Sequence, residues 1–486
     1  MPLEDIRADR IKKLNALKKA GQNPYPAKSG RSFRIEDIIR DFELHEKSGK
    51  ELSIAGRVMA RRDQGGLTFL DVSDESGKMQ ALAKEDLLGG KYALIVGNLD
   101  IGDFVEISGK AFTTKRGEKT LEATSISVLA KSIRPLPDKW EGLSDTEERL
   151  RRRYLDLVME PEERELFVKK SKFWQATRDF MLSEGFLEVE TPILEHTPGG
   201  ADAEPFITHL NTLDMDLYLR ISPELHLKRL LVAGFEKVFE IGRIFRNEGI
   251  DKEHLQDYTQ LEFYWAFADY QMAMDLVERM YKHVIQKTLG VLKHMWQGQE
   301  INWAGEWEHI DYFEVFRKYT KLNLSKASEL ELQSYAKDQG IEVVKHPGRG
   351  RLIDIIFKKM VRPHLIQPGF LVLPPVDVEP LAKCLPDDPS RVERFQVVAC
   401  VSELGKGYSE LNNPIDQQAR FEEQENMRKE GDREAQRMDA DFVEALEYGM
   451  PPTAGWGHSE RLFAIIMNRP VRETVFEPLM RPRKDK

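Results

Sequence analysis

Residues 237–267, KVFEIGRIFRNEGIDKEHLQDYTQLEFYWAF, carry the pattern that decides the fold of most of this chain. Two alternating segments, 238–248 and 258–267, flank a polar loop with Gly249 and Asp251, which predicts an antiparallel hairpin with an extended loop. Strand side chains alternate with period two, so Ile244, Arg246 and Glu248 are expected on one face, and Tyr258, Gln260, Glu262 and Tyr264 on one face of the partner. Charges on strands otherwise rich in Phe, Ile and Trp are costly to bury unless paired or met by a ligand. The hairpin therefore reads either as a structural ion-pair network or as a binding surface.

Upstream, LSIAGRVMARR, GLTFLDVSD, KMQALA, DFVEISGKAF and KTLEATSISVLA are five β-rich runs within residues 51–132, separated by Gly65-Gly66, Ser76-Gly77 and Arg116-Gly117. That count and size fit an OB-fold barrel. Residues 1–50 read as an N-terminal helical extension. In it Ile6, Ile11, Leu14 and Leu17 alternate with a basic set, Arg7, Arg10, Lys12, Lys13, Lys18 and Lys19, suited to a solvated surface or a polyanion. Residues 133–150, containing RPLPDKW, read as a linker. Residues 151–486 mix amphipathic helices and strands without strict alternation, so the class is α+β: an OB barrel followed by a domain built on an antiparallel sheet.

The chain has 486 residues, 41% hydrophobic and 32% charged, with a formal charge of −10 and two cysteines, Cys384 and Cys400. That is enough apolar material for a large core, and too few cysteines for a disulfide framework or a Cys-rich zinc site. The start, MPLEDIRADRIKK, lacks an apolar leader and no run reaches the ~20 residues of a membrane span, so a cytoplasmic protein is expected. The negative charge disfavours indiscriminate nucleic-acid binding but leaves room for a local basic surface. There is no GxxxxGK[ST], GxGxxG after a strand, or HExxH; GRGR at 348–351 reads as a loop.

FRNE (245–248) followed by HLQDYTQLE resembles motif 2 of the class II aminoacyl-tRNA synthetases, GFLEVETP (185–192) resembles motif 1, and the glycines ahead of ERL (455–462) resemble motif 3. RRRYLDL, TPGGADAEPFITH, LYLRISPELHLKRLL, GYSELNNP and PPTAGWG extend the similarity to the bacterial-type lysyl-tRNA synthetases, from the barrel to the C-terminus. The resemblance implies an ATP-dependent ligase that makes lysyl-adenylate and transfers lysine to the 3′ end of tRNA(Lys), acting as a homodimer with magnesium and without zinc. By the same resemblance Arg246 and Arg461 are catalytic, and ATP meets Arg246, Glu248, His254, Tyr258 and Arg461. Lysine meets Gly199, Gly200, Glu224, Glu262, Tyr264, Tyr408 and Glu410; Glu403 and Gln396 take the metal positions; and Phe69, Gln80 and Glu118, with Arg61 and Arg62 nearby, face the anticodon. The chemistry suits these residue types. The substrate carboxylate is already ionised, so positioning and charge neutralisation set the rate of adenylation.

Three departures bear on this transfer. Gln396 brings no charge where an acid is usual. Lys406 puts a second cation where the family ordinarily has Asn, and it would repel an ammonium unless it faces the carboxylate or phosphates. GWGHSER is one residue shorter than usual, which bears on where Arg461 stands. Three alternatives stay open: a ligase for aspartate or asparagine, which Glu262, Tyr264 and Glu410 oppose; a lysyl transferase acting on protein, which the barrel opposes; and an RNA-binding protein with a degenerate catalytic site.

Overall fold

The computed structural model describes residues 2–137, 145–249, 251, 253–343, 348–379, 381–429 and 437–483. The chain divides into two compact units at Asp145/Thr146. Of the expected linker, residues 138–144 lie outside the described residues, while Thr146–Arg151 forms a helix of the second unit.

The first unit starts with helix α1, Leu3–Lys19, which buries Leu14 and Leu17. Its basic residues are not all surface charge. Arg10 is buried and donates to Ser132 Oγ (2.6 Å) and to the carbonyls of Arg134 (3.0 Å) and Ile101 (3.0 Å), while Lys13 reaches Asp100 (2.7 Å). Both side chains therefore dock the helix, and Ile11, expected on the apolar face, is exposed. Strands β1 (Leu52–Gln64), β2 (Leu67–Ser73), β3 (Lys78–Lys84), β4 (Phe104–Thr113) and β5 (Lys119–Ala130) close into a barrel of order β1-β2-β3-β5-β4. Alternate residues such as Ile54, Val58, Leu70, Val72, Ile107 and Leu121 fill its interior.

The second unit is organised by an eight-stranded sheet, order β9-β10-β11-β12-β13-β8-β7-β6. The strands are β6 (Leu187–Glu188), β7 (Lys237–Phe245), β8 (Asp257–Ala266), β9 (Glu308–Asp311), β10 (Gly369–Val372), β11 (Arg394–Ala399), β12 (Ser402–Ser409) and β13 (Thr453–Ser459). All neighbours are antiparallel except β6 with β7 and β9 with β10. One face is apolar: Leu261, Phe263, Phe395, Val397 and Trp456 pack against helices α2 (Pro161–Ser183) and α4 (Tyr270–Leu289). Between those helices in the chain lies α3, Glu224–Val232. Asp269 caps α4, accepting the backbone N–H groups of Gln271 and Met272.

GRGR is not a loop. Gly348 opens helix α5, Gly348–Ile356, which buried Leu352, Ile353 and Ile356 hold against the domain. A Cβ at Gly350 would collide with the Asp377 carbonyl, so the glycine serves close packing rather than a turn.

Candidate functional site

The other face of the sheet carries the polar residues. The β7–β8 hairpin forms as expected, with Ile244 opposite Tyr258 and Glu240 opposite Glu262. It is shorter on the first strand than the alternation implies. β7 ends at Phe245; Arg246 N–H still donates to Gln256 O (2.8 Å), but Asn247 N–H turns away to Glu204 O (2.7 Å), which ends the ladder. Arg246 and Glu248 thus lie in the loop, whereas Ile244 is buried. Tyr258, Gln260, Glu262 and Tyr264 do share a face of β8, because Leu261 and Phe263 fill the apolar side.

Register places Gln396, Lys406, Gly457, Glu262 and Glu240 in one row across five strands. A Cβ at Gly455 would strike Glu410 and the Tyr264 ring, and one at Gly457 would crowd Glu262. These two glycines make the floor on which the acidic side chains lie. Glu262 accepts from Ser222 Oγ (2.7 Å), Gln260 Nε2 (2.5 Å) and Tyr264 OH (3.1 Å). Burial, reinforced by the charge of Glu224, pushes its carboxyl up to about 7 despite these donors. Glu224, the first residue of α3, accepts from Tyr408 OH (2.8 Å). Glu410 is buried; the Lys228 ammonium lies against its Oε2, and its Oε1 has no hydrogen-bond donor among the described residues. Gly200, at φ 82°, and Gly199 bring their backbone against the first turn of α3: a Cβ on Gly200 would strike Glu224, and one on Gly199 would strike Leu225. Glu224, Glu262, Tyr264, Tyr408 and Glu410, with Gly199 and Gly200 beside them, are therefore brought together in one buried cluster.

Lys406 does not face this acid cluster unpaired. Its Nζ donates to buried Glu379 (2.8 Å). Burial works against the Glu379 charge, but Lys406 and Arg394 outweigh it and hold its carboxyl below the usual range. The repulsion expected from a second cation is thus compensated locally.

Arg246 Nε donates to Ile221 O (3.3 Å), and its guanidinium lies 5.8 Å from the Tyr258 ring centroid. Arg461 Nη1 donates to Glu403 O (2.8 Å) and Nε to Glu253 O (3.3 Å), which ties it to both β12 and the hairpin loop. His254 Nδ1 lies 2.7 Å from Asp251, and Glu248 is half-buried, its carbonyl accepting from Gln256 Nε2 (3.2 Å).

The shortened glycine segment keeps a regular register, Ser459 opposite Gln260 through Thr453 opposite Ala266. His458 points to the apolar side, where Trp456 Nε1 donates to its Nδ1 (3.2 Å) and burial drives its pKa down to about 3. It is a neutral core residue.

For a metal, the fit is partial. One oxygen of Glu403 accepts from Gln396 Nε2 (2.6 Å), and the other is buried without a hydrogen-bond donor, 3.7 Å from Arg362. The amide oxygen of Gln396 accepts from Arg394 Nη2 (3.1 Å). Glu403 thus has an oxygen to give, whereas Gln396 would first release Arg394. Among the described residues, no group of three or more His, Cys, Asp or Glu is placed to hold a metal ion.

On the barrel, Phe69 is not core. β2 alternates so that Leu70 and Val72 point inward, while Phe69 stays half-buried on the outer face, opposite Arg62 and Leu82. Gln80 accepts from Thr120 Oγ1 (3.0 Å), and Glu118 is exposed in the β4–β5 turn. Arg62 is exposed and reaches Asp71 (3.2 Å). Arg61 is committed elsewhere, donating to the carbonyls of Val96 (2.7 Å) and Leu99 (2.8 Å).

The family described as tRNA synthetases class II (D, K and N) matches residues 145–481, and the OB-fold nucleic acid binding domain matches residues 52–129. The chain belongs to the class II tRNA synthetases. Its relatives align end to end. A lysine–tRNA ligase of Carboxydothermus hydrogenoformans is 43% identical over 99% of both chains. One of Roseiflexus castenholzii is 43% identical over 100% of both, and one of Shouchella clausii is 41% identical over 100% of this chain and 98% of that one. No helix among the described residues is long and apolar enough to cross a membrane.

Sequence reading of this synthetase missed two residues of the site. Lys228 is wholly buried between Glu224 and Glu410. Arg220, also buried, donates to Glu240 (2.5 Å) of that cross-strand row and packs on Gly242, two residues further along β7. A signal existed for Lys228: it lies four residues after Glu224 on an otherwise apolar helix face.

Proposed function

We propose that the chain condenses lysine with ATP to lysyl-adenylate and transfers the lysyl group to the 3′-terminal adenosine of tRNA(Lys). The observation that carries this reading is one buried cluster, Glu224, Glu262 and Glu410 with two phenols, Tyr264 and Tyr408, which this reading takes as the wall of the lysine pocket. Such a pocket suits a ligand with two ammonium groups, and an aspartate or asparagine side chain would meet carboxylates there. Full-length relatives that bear the name lysine–tRNA ligase support the same assignment.

In this reading Glu224 and the backbone at Gly199 and Gly200 hold the α-ammonium, and Glu262, Tyr264 and Glu410 hold the ε-ammonium. The lysine carboxylate attacks the α-phosphorus, the bond to the β-phosphate oxygen breaks, and pyrophosphate leaves. Arg246 bridges the reacting carboxylate and α-phosphate, neutralising charge that grows in the transition state. Tyr258 stacks on adenine with Glu248 and His254 nearby, and Arg461 takes the far end of the triphosphate. Magnesium supplies charge neutralisation to the phosphates when bound; Glu403 would hold it, with Gln396 orienting Glu403 and entering the shell only by releasing Arg394. The 3′ hydroxyl of tRNA then attacks the lysyl carbonyl and AMP leaves. On the barrel, Phe69 stacks a base of the anticodon, and Gln80, Glu118 and Arg62 contact its edges or backbone.

A homodimer is part of this reading, supported by the motif 1 segment, where Leu187, Ile193 and Leu194 are exposed around Pro192 and would be covered by a second copy. A cytoplasmic location fits the reaction. Amino-acid-dependent pyrophosphate–ATP exchange with each of the twenty amino acids tests the reading. Exchange with lysine alone is expected. Exchange with another amino acid would replace the specificity, and none at all would leave an RNA-binding protein.

A further inference from the structure

Among the described residues, Lys228 is the one wholly buried cation that forms an ion pair with the acid cluster, and the proposed reaction gives it no role. It sits one helical turn after Glu224 on α3 and donates to Glu224 Oε1 (2.5 Å), while its ammonium also lies against Glu410 Oε2 at the end of β12. The rings of Tyr408, Tyr264 and Phe442 surround it at 5.6, 5.9 and 5.9 Å. It therefore bridges a helix to a strand through two carboxylates.

The contacts are asymmetric. On Glu224, Lys228 and the Tyr408 hydroxyl both fall on Oε1, so Oε2 is not the atom they occupy. On Glu410, Lys228 lies against Oε2, and Oε1 lies over the Gly455 floor. We propose that Lys228 is a positioning residue for substrate lysine: it pins Glu224 and Glu410 by one oxygen each and presents their other oxygens to the two ammonium groups. The inference rests on the pocket assignment given above.

A buried cation here also sets the charge of the pocket. Three carboxylates crowded out of water repel each other and favour protonation, and one resident ammonium offsets part of that. Burial opposes the charge of Lys228, but Glu224 and Glu410 outweigh it and raise its pKa. The ammonium in turn pulls Glu410 back, although burial still holds that carboxyl well above the usual range.

The test is Lys228→Met, similar in length and uncharged, assayed by pyrophosphate–ATP exchange from pH 6 to 9. The expected result is a lysine KM raised about tenfold or more at pH 7, an unchanged ATP KM, and a lysine-KM profile displaced to higher pH, since the carboxylates then ionise later. A folded Lys228→Met enzyme with wild-type lysine KM and pH profile would overturn the proposal, as would an equal loss in lysine and ATP KM. Should the Met variant not fold, Lys228→Gln serves, with the same shift expected and the same unchanged KM as the refuting result. If the wild-type chain itself shows no lysine-dependent exchange, the pocket assignment fails first, and that outcome is distinct from a failure of the Lys228 role.

Discussion

The barrel and the catalytic sheet are both antiparallel, and both alternate side chains between an apolar and a polar face, yet they treat the polar face in opposite ways. Along the barrel strands the charged residues look outward, and Arg62, Asp71 and Glu118 are hydrated at least in part, the buried Lys131–Asp103 pair lying just beyond the strand ends. In the sheet Glu262, Glu410, Lys228, Glu240 and Arg220 are buried. The same strand periodicity thus yields a surface for a large polar partner in one case and a preorganised charged pocket in the other. Desolvated charges act strongly on a small ligand; exposed ones act weakly and are screened. Substitutions should separate the two regions cleanly, adenylation failing with the sheet and tRNA affinity with the barrel.

The largest effect is expected at Arg246. Arg246→Gln should lower lysine-dependent exchange about 10³-fold, mostly in kcat, as loss of a preorganised donor at a reacting centre does. A loss confined to lysine KM would mean that Arg246 only binds substrate. Next comes Glu262→Gln, for which lysine KM should rise about 10²-fold with ATP KM little changed. The same residue governs pH dependence. Its carboxyl titrates at about 7, above its ordinary value, and an ammonium ligand favours the ionised form. Lysine KM should therefore fall as pH rises from 6 to 8, by up to about tenfold per unit below the pKa. The sign for the ligand-free fold is opposite: the protonated form is the favoured one, so stability from this group is full below the ordinary carboxylate pKa and is lost as pH rises through 7. A flat lysine-KM profile in wild type, or one that survives in Glu262→Gln, would remove Glu262 from this role.

In the barrel, Phe69→Ala should raise the KM for tRNA about tenfold, the worth of one stacked base, and leave exchange untouched. A change in exchange would show that the two regions are not separable. The smallest effect is expected at Gln396→Glu. A second carboxylate beside Glu403 repels it without a metal and recruits one with it. The melting temperature should drop by a few degrees in chelator and recover with magnesium, while exchange changes about twofold. An equal drop in both conditions would argue that Gln396 is only a brace.

Much of this was legible without coordinates. Five strands of the barrel, the β7–β8 hairpin, and the shared face of Tyr258, Gln260, Glu262 and Tyr264 follow from period-two alternation, which is a local property. The ends of elements were less legible. β7 stops at Phe245 because Asn247 finds a partner at Glu204, some forty residues away in the chain, and GRGR joins a helix held by buried Leu352, Ile353 and Ile356, with Gly350 packed against the Asp377 carbonyl. Arg10 and Arg61 looked like surface cations and turned out to satisfy carbonyls of neighbouring segments.

What the sequence alone determined is the pair of domains, the alternation that makes one face of each sheet polar, and which residue types reach that face. These depend on near-neighbour geometry and on the cost of exposing apolar surface. Only the tertiary structure decided how each charge is matched: Lys406 with Glu379, and Lys228 between Glu224 and Glu410. Ion pairing inside a protein acts mostly between residues brought together from separate elements, at distances of a few ångströms, and apart from the i,i+4 spacing of Glu224 and Lys228 no local pattern in the chain records these pairs.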